Sequence, residues 1–339
     1  MTSDSKKLML FILAFAAAAM LIIGVLIGVG VLSGPAIEET PNQGGSVTIP
    51  IPPGDDDGLS SREYAVTLYF RFSGSGMLAG ESRVITASAN TRVEYAALLE
   101  LISGPTNDEL ERVIDSQTRI VSMSEEGSVL TVTLSAEFLR QSSNLPDGWG
   151  EDTQLKEEEY LRRRLAYYSV IDTLTGLGNY SHVELLIDED GDGIGTRVSR
   201  ANFGFVDDAE TTGRPMGAQP FEDSVVLSAQ NTVSTVFSAI LMHDWEGAFD
   251  FLSATTQSGL SRPLKEQFSS QLQERLLQLQ SYQVVGEIYS ANGTSAVVRV
   301  DYAYLDPEGS LVTRESAPVK LRLSGGIWKI DHDELYELF

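Results

Sequence analysis

Three aspartates at alternate positions are the residues whose types and spacing best suit chemistry. Asp188, Asp190 and Asp192 are followed by Gly193. This pattern matches the first half of a calcium-binding loop, in which alternate carboxylates direct hard oxygen ligands at one cation. The second half does not match, because Ser199 stands where a bidentate glutamate is needed. Acidic, glycine-rich residues also form ordinary hairpin tips. The sequence therefore favours a plain turn and leaves the three aspartates as a weak calcium candidate.

Two of the three histidines have acidic neighbours, a pairing that could form a general base. His243 precedes Asp244, and His332 follows Asp331. Adjacent residues of a strand point to opposite faces, so Asp331 and His332 cannot both face one pocket. We predict that these residues lie at the surface. The sequence contains no serine elbow, phosphate-binding Gly-Lys loop or HExxH zinc helix. The protein is therefore predicted not to be an enzyme and to use no cofactor.

The composition excludes further classes of function. The chain has 339 residues, with 24 Lys and Arg against 48 Asp and Glu, a net charge of −24 and no cysteine. The lack of cysteine excludes disulfides, zinc–thiolate sites and lipid attachment through a thiol. So negative a chain repels phosphate backbones, and nucleic acid is not expected as a partner. The length predicts about two domains.

The N-terminal residues predict a membrane anchor. Two lysines end residues 1–7, and an uncharged run follows over residues 8–32. That run is longer than the roughly 20 apolar residues that a helix needs to cross a bilayer, whereas a cleavable signal has an apolar core of about 7–15. We favour an uncleaved signal anchor over a long signal cut near residues 33–36. Because positive charge tends to stay in the cytoplasm, we predict a single-pass cell-membrane protein with a cytoplasmic tip and residues 33–339 outside.

Two segments rich in proline and glycine divide the remainder of the chain. Residues 33–62 contain five prolines and five glycines together with an acidic triplet, which predicts an extended stalk. Residues 206–220 lack a periodic apolar pattern and carry further proline and glycine, which predicts a linker. The folded domains are then residues 63–205 and 221–339.

The hydrophobic pattern of residues 63–205 predicts an α+β domain. The predicted strands are 66–72, 83–87, 120–124, 128–135, 183–187 and 196–205. The predicted helices are 92–103, 108–114 and a long helix whose apolar stripe runs from Leu161 to Leu174. The arginine triplet 162–164 lies on this long helix, four residues after acidic neighbours. We interpret the triplet as a solvated helix face, the alternative being an anion site.

Segments of this domain resemble the GerMN domain family of spore-germination proteins. The segments are VTLYF (66–70), AALLELISGPT (96–106), IVSMSEEGSVLTVTLS (120–135) and YSVIDTLTGLGNYSHVELLID (168–188). The resemblance implies a bacterial envelope protein outside the membrane, tied to sporulation, germination or envelope assembly. It also implies a fold similar to the βαβ modules that build rings in secretion and spore complexes. The family has no established catalytic residues, so none is assigned. The longer acidic turn of the last hairpin departs from the family.

Residues 221–339 predict helices followed by an antiparallel meander. One predicted helix covers 226–240, and Ser261 and Pro263 open another. The apolar stripe of this second helix comprises Leu264, Phe268, Leu272, Leu276 and Leu279. The predicted strands are 283–290, 295–305, 311–323 and 327–331. With DWEGAFDFLS and GIWKID, this order resembles the nuclear-transport-factor-2-like family, a cone-shaped fold with an internal cavity.

The sequence as a whole predicts an extracytoplasmic interaction or assembly module of the bacterial cell envelope, held to the membrane through residues 8–32. The expected partners are envelope proteins or further copies of this chain, and the resemblance suggests sporulation or germination as the process. The alternative is a small-ligand-binding or enzymatic cone domain that is tethered outside the membrane.

Overall fold

The computed structural model describes residues 61–205, 213–274, 278–306 and 308–337, all of which fall within one compact unit. The predicted cytoplasmic tip, the predicted anchor and nearly all of the predicted stalk lie outside these ranges. Within them, no helix is long and apolar enough to cross a membrane. We call residues 61–205 the first half and residues 213–337 the second half. The described residues form a mixed α+β fold with three sheets, as the sequence predicts.

The first sheet has the strand order β2-β1-β3. Its strands are β1 (Ser61–Phe72), β2 (Leu78–Ser88) and β3 (Leu110–Glu111), and helix α1 (Val93–Ser103) packs against it. Strand β1 and helix α1 confirm the sequence prediction, and β2 begins earlier than predicted. The predicted helix at 108–114 is wrong. Leu110 pairs with Phe72 as a third strand and is buried, because the sheet offers it both hydrogen bonds and apolar cover.

The second sheet has the strand order β4-β5-β6-β7. Its strands are β4 (Ile120–Glu126), β5 (Val129–Ser135), β6 (His182–Asp188) and β7 (Thr196–Arg197). The hairpin and strand β6 confirm the prediction, and β5 and β6 run parallel. The predicted strand 196–205 is wrong beyond Arg197. Ser199 and Asn202 form a capping box that starts a 3₁₀ helix over Arg200–Phe203, and this local bonding ends the strand.

Helix α2 (Thr153–Thr175) is the long helix that the sequence predicts. Asp152 caps its start by accepting hydrogen bonds from the backbone N–H groups of Gln154 and Leu155. The helix contacts both β1 and β6, so that it lies between the two sheets of the first half. Its last three turns are almost wholly buried, which makes α2 the central element of this core.

The second half consists of three helices, a four-stranded antiparallel meander and a final short helix. The helices are α3 (Ala229–Leu241), α4 (Trp245–Phe249), α5 (Lys265–Glu274) and α6 (His332–Glu337). The strands are β8 (Gln278–Tyr289), β9 (Ser295–Leu305), β10 (Leu311–Ser324) and β11 (Ile327–Ile330), in the order β11-β10-β9-β8. The four predicted strands are confirmed, with β8 starting five residues early.

Two helix boundaries in the second half differ from the prediction. Ser228 caps α3 through the N–H of Asn231, so the helix starts after Val226, which bridges to Leu78 instead. The second predicted helix is also shorter at both ends. Leu264 lies before α5 and is 66% exposed, and Leu279 belongs to β8. The apolar stripe wrongly predicted that the helix extends to Leu279. That residue is buried because it belongs to a strand, where it pairs with Tyr304.

Large aromatic side chains occupy the space between the helices and the meander. Phe237 on α3 contacts Tyr282 and Tyr302, with ring centroids 5.6 and 5.7 Å apart. Phe249 and Trp328 are also buried. Aromatic rings thus fill the contact between α3 and the meander, a region where the cone resemblance implies a cavity.

Candidate functional site

The aspartate loop that follows β6 is closed by its own backbone. The buried Asp188 accepts hydrogen bonds at Oδ1 from the N–H groups of Gly191 (2.8 Å) and Asp192 (3.1 Å), and at Oδ2 from Gly193 (3.0 Å). Both glycines have positive φ, at 73° and 85°, which suits residues without a Cβ. In the described ranges, no group of three or more His, Asp and Glu is placed to hold a metal ion. Asp188 thus organises a turn, and Asp190 lies exposed beside it.

The acidic and histidine residues at the end of β11 are buried, so the prediction that they lie at the surface is wrong. Asp331 Oδ1 accepts a hydrogen bond from Arg322 Nε (3.1 Å), and Oδ2 accepts one from the N–H of Gln257 (2.7 Å). His332 opens the short helix α6 and packs edge-on against Tyr336. Helix α6 was not predicted; its Tyr336 packs on His332, and Arg322 and Gln257 bind Asp331, which accounts for their burial. His243 is exposed, as predicted.

The arginine triplet on α2 is not a solvated face, and that interpretation is also wrong. Arg162 Nη2 and Arg163 Nε each donate to Oε1 of the buried Glu159, at 2.7 and 2.9 Å. Arg162 Nη1 also donates to the carbonyl of Val113 (2.7 Å). Burial alone would raise the pKa of Glu159, but the Arg162 and Arg163 guanidinium groups outweigh it and hold that pKa below its usual range. Arg162 and Arg163 therefore stabilise the fold by pairing with a buried carboxylate.

An open cleft of about 520 Å³ lies next to these arginines. It is lined by Ala136, Glu137, Leu139, Arg140, Arg163, Glu189 and Asn202. Its two guanidinium groups already pair with carboxylates: Arg140 lies 3.4 Å from both Asp115 and Glu137, and Arg163 binds Glu159. The lining residues include no serine, cysteine or histidine nucleophile, and the cleft offers polar and charged contacts.

The junction between the two halves is built around a buried lysine. Lys329 on β11 is only 3% exposed, and its Nζ donates to Glu109 Oε1 (2.6 Å) and to the carbonyl of Asp250 (2.9 Å). The same Nζ lies 4.5 Å from the centre of the Phe72 ring, a cation–π arrangement. Burial lowers the pKa of Lys329, and the hydrogen bond and charge of Glu109 oppose that shift. One cation thus binds groups from β1, the loop before β3, and the second half.

Close backbone contacts complete the junction. The Gly80 carbonyl oxygen approaches Gly326 so closely that a Cβ there would lie 1.8 Å from it. Asn107 Nδ2 donates to the carbonyl of Gly325 (3.1 Å), and the N–H of Leu227 donates to the carbonyl of Leu78 (2.7 Å). The sequence shows Gly325 and Gly326 side by side, which predicts a turn and nothing more. Nothing local in the sequence indicates that this turn touches β2.

A buried carboxyl group supports the junction from the first half. Asp172 on α2 is fully buried and accepts a hydrogen bond at Oδ1 from the N–H of Glu222 (2.8 Å). On either side of it along α2, Ser169 Oγ donates to the carbonyl of Tyr69 (2.6 Å), and Thr173 Oγ1 accepts from the Tyr69 N–H (3.1 Å). Sequence reasoning missed Asp172, although an aspartate inside an apolar helical segment is itself a signal.

Comparison with known protein families identifies part of the first half. The family model described as Germane: Sporulation and spore germination matches residues 67–191. This match confirms the GerMN part of the sequence resemblance, and it includes both helices and both sheets of the first half except the start of β1 and all of β7. No curated protein matches the chain.

Two solved structures are similar to parts of the chain. A candidate lipoprotein from Clostridium perfringens shares 16% identity, with a TM-score of 0.24, over 46% of this chain and 87% of that one. The tandem GerMN domains of the sporulation protein GerM from Bacillus subtilis share 16% identity, with a TM-score of 0.25, over 40% of this chain and 42% of that one. The chain thus spans less than half of the GerM structure, and at these TM-scores neither likeness carries an argument about the fold.

Proposed function

We propose that the protein is a membrane-anchored, extracytoplasmic interaction or assembly module of the bacterial cell envelope, with a role in sporulation or germination and without catalysis. The observation that carries this proposal is the Germane family match over residues 67–191. The anchor is supported by the uncharged run over residues 8–32 and by the two lysines before it.

The absence of catalysis is supported by how the polar side chains of the described ranges are used. Asp188 and Asp331 accept hydrogen bonds at both carboxylate oxygens, Glu159 is paired with two arginines, and Lys329 holds the junction. These groups stabilise the fold. We expect partners to bind the surface of the module and the edge strands of its sheets, which carry unpaired backbone groups.

We also propose that the second half is a nuclear-transport-factor-2-like domain that serves as a spacer or a second contact surface. The order of three helices followed by a four-stranded meander supports this assignment. The aromatic side chains between helices and sheet, Phe237 and Tyr302 among them, favour a spacer over the alternative of a ligand-binding or enzymatic cone.

Single cysteines test the proposed topology cleanly because the chain has none of its own. Ser122 is exposed on β4, and Ser5 lies in the predicted cytoplasmic tip. We expect a membrane-impermeant maleimide to label the Ser122→Cys variant in intact cells and the Ser5→Cys variant only after permeabilisation. The reverse pattern would overturn the topology. The intact mass of the mature protein shows whether residues 1–32 are retained.

Partner capture tests the proposed assembly role. Photo-crosslinkers at Tyr95 and Leu99, which are exposed on one face of α1, should join the protein to an envelope protein or to a second copy. A crosslinker at the buried Leu98 of the same helix is the matched control and should give none. If the exposed positions capture no protein at any stage of growth, sporulation or germination, the assembly role is wrong.

A further inference from the structure

Asp172 is a buried carboxyl group that receives one hydrogen bond from the described residues. Its Oδ1 accepts from the N–H of Glu222 (2.8 Å), and its Oδ2 has no hydrogen-bond partner among the described residues. An ionised carboxylate that is buried with one oxygen unsatisfied is costly, whereas the protonated acid is much less so. The site therefore favours a carboxyl group that keeps its proton.

The titratable groups that face Asp172 reinforce this preference. They are Tyr69 on β1, Tyr168 one turn earlier on α2, and Glu222 and Asp223 near the start of the second half. Two of the four are carboxylates, and none is a cation. Burial first, and then the charges of Glu222 and Asp223, raise the pKa of Asp172 to about 8, although the Glu222 N–H opposes the shift.

Two arginines lie close enough to influence this region, but they act elsewhere. Arg200 and Arg164 lower the pKa of Tyr168, against the larger effects of burial and of Glu222 that raise it. Neither arginine is among the groups that shift Asp172. Arg164 donates to the carbonyl of Phe203 (3.1 Å). Among the described residues, no cation is therefore a countercharge for Asp172.

The segment that bonds to Asp172 lies near the start of the second half and contacts the first half. We call residues 221–227 the crossing segment. It contacts the first half through the Phe221 ring, 5.5 Å from that of Tyr69, through the N–H of Glu222 on Asp172, and through the N–H of Leu227 on the Leu78 carbonyl. Phe221 and Glu222 are half-buried, whereas Tyr69 is buried in the core. Lifting the crossing segment is thus the least disruptive way to bring water to Asp172.

We propose that Asp172 is a proton-dependent latch between the two halves. With its proton, Asp172 holds Phe221 and Glu222 on α2 and β1. When the proton passes to solvent, the carboxylate draws water, the crossing segment lifts, and the connection between the halves loosens. This regulation goes beyond the proposed assembly role and does not depend on it.

The direction of the pH dependence follows from linkage. The closed form binds a proton up to pH of about 8, whereas an opened form releases it near the ordinary aspartate pKa of 3.8. At a pH between these two values, opening releases a proton. The equilibrium constant for opening therefore rises about tenfold with each pH unit. Above about pH 8 both forms are ionised, and the dependence levels off.

Amide hydrogen exchange of the full chain between pH 5 and 9, corrected for intrinsic exchange rates, tests the latch. Protection of the Glu222 and Leu227 amides should fall by about tenfold per unit up to pH 8. Asp172→Asn keeps the Oδ1 acceptor without the charge, and its protection should not change with pH. Glu157→Gln, at an exposed carboxylate of the same helix that is not among the groups that shift Asp172, is the control and should behave as wild type.

Parallel pH profiles in the wild type and in Asp172→Asn would overturn the proposal. A loss of protection outside the crossing segment, with Glu222 and Leu227 unchanged, would do the same. If Asp172→Asn does not fold, the ¹³C carboxyl resonance of Asp172 in the wild-type protein decides the matter. A titration midpoint near 8 supports the latch, and a midpoint near 4 rejects it.

Discussion

Three carboxyl side chains in the first half, those of Glu81, Glu159 and Asp172, are all buried, but the groups around them differ. Glu81 accepts hydrogen bonds from the N–H groups of Thr106 and Asn107, both at 2.9 Å, and pairs with Arg83. Glu159 pairs with two arginines. Both are therefore held ionised, in contrast to Asp172. Asp172 combines complete burial with a single donor, so burial and the surrounding donors together decide which carboxyl group carries a charge.

Removing the charge of Glu159 should destabilise the first half. Glu159→Gln leaves two half-buried guanidinium groups without their shared carboxylate, and breaking such a pair costs about 3 kcal/mol. Urea unfolding of the purified protein measures the loss. Glu157→Gln, two residues away on the exposed side of α2, is the matched control and should change stability by less than about 0.5 kcal/mol. Equal effects of the two substitutions would contradict the structural role of Glu159.

Acid should destabilise the protein through Glu81 and Glu159. Burial alone would raise the pKa of Glu81, but the Asn107 N–H and then Arg83 outweigh it, so the pKa lies below the usual 4.5, as it does for Glu159. A depressed folded-state pKa contributes stability above the ordinary value that is lost as pH falls through the folded value. Denaturant unfolding between pH 6 and 2 should show this loss below about pH 4.5, with a shallower slope in Glu81→Gln. An unchanged slope in that variant would remove Glu81 from the explanation.

At the scale of elements, the confirmed predictions are those with long, regular patterns. The alternation in β1 and the four strands of the meander is visible because one face of each strand packs against a core. The failures are short or ambiguous segments. Residues 108–114 have too few apolar residues to distinguish a helix from a strand, and the pairing of Leu110 with Phe72 decides the outcome. The stripe from Leu264 to Leu279 crosses a helix–strand boundary that its periodicity does not mark.

The turn between β10 and β11 gives a sharp test at this scale. Gly326 has φ of 84°, and a Cβ there would lie 1.8 Å from the Gly80 carbonyl oxygen. Gly326→Ala should therefore cost more than the 1–2 kcal/mol of a left-handed alanine alone, because β2 and the turn must separate. Gly293→Ala is the control, since Gly293 has φ of 68° and nothing within 4 Å of its Cβ position. Thermal unfolding of both variants compares the two costs, and equal costs would argue against the contact.

At the scale of the whole molecule, the junction is what the sequence could not reveal. Lys329 and Glu109 are 220 positions apart, and Asn107 and Gly325 are 218 apart. No local pattern links such residues, because helix and strand periodicities report only burial within one element. For the same reason Asp172 could be seen as unusual, but its partner Glu222 could not. The candidate calcium loop was visible as a motif, and its use of Asp188 as a backbone acceptor depends on the turn geometry.

The buried junction should make the two halves unfold together. Of the three tryptophans, Trp149 lies in the first half, while Trp245 and Trp328 lie in the second. In a Trp149→Phe variant, fluorescence reports the second half and far-ultraviolet circular dichroism reports the whole fold. We expect the two urea transitions to coincide. Two separated transitions would mean that Lys329 and the crossing segment do not couple the halves.

The ring contact between Phe72 and Phe251 bears on how the first half can be used in isolation. The ring centroids lie 5.0 Å apart, and Phe72 is 3% exposed. A fragment cut at the borders of the family match, residues 67–191, would lose Phe251 and Phe221 as well as the first six residues of β1. Such a fragment would expose an apolar edge to solvent and would tend to aggregate. When this domain occurs in another protein, a different segment of that protein must therefore cover Phe72 in place of the second half.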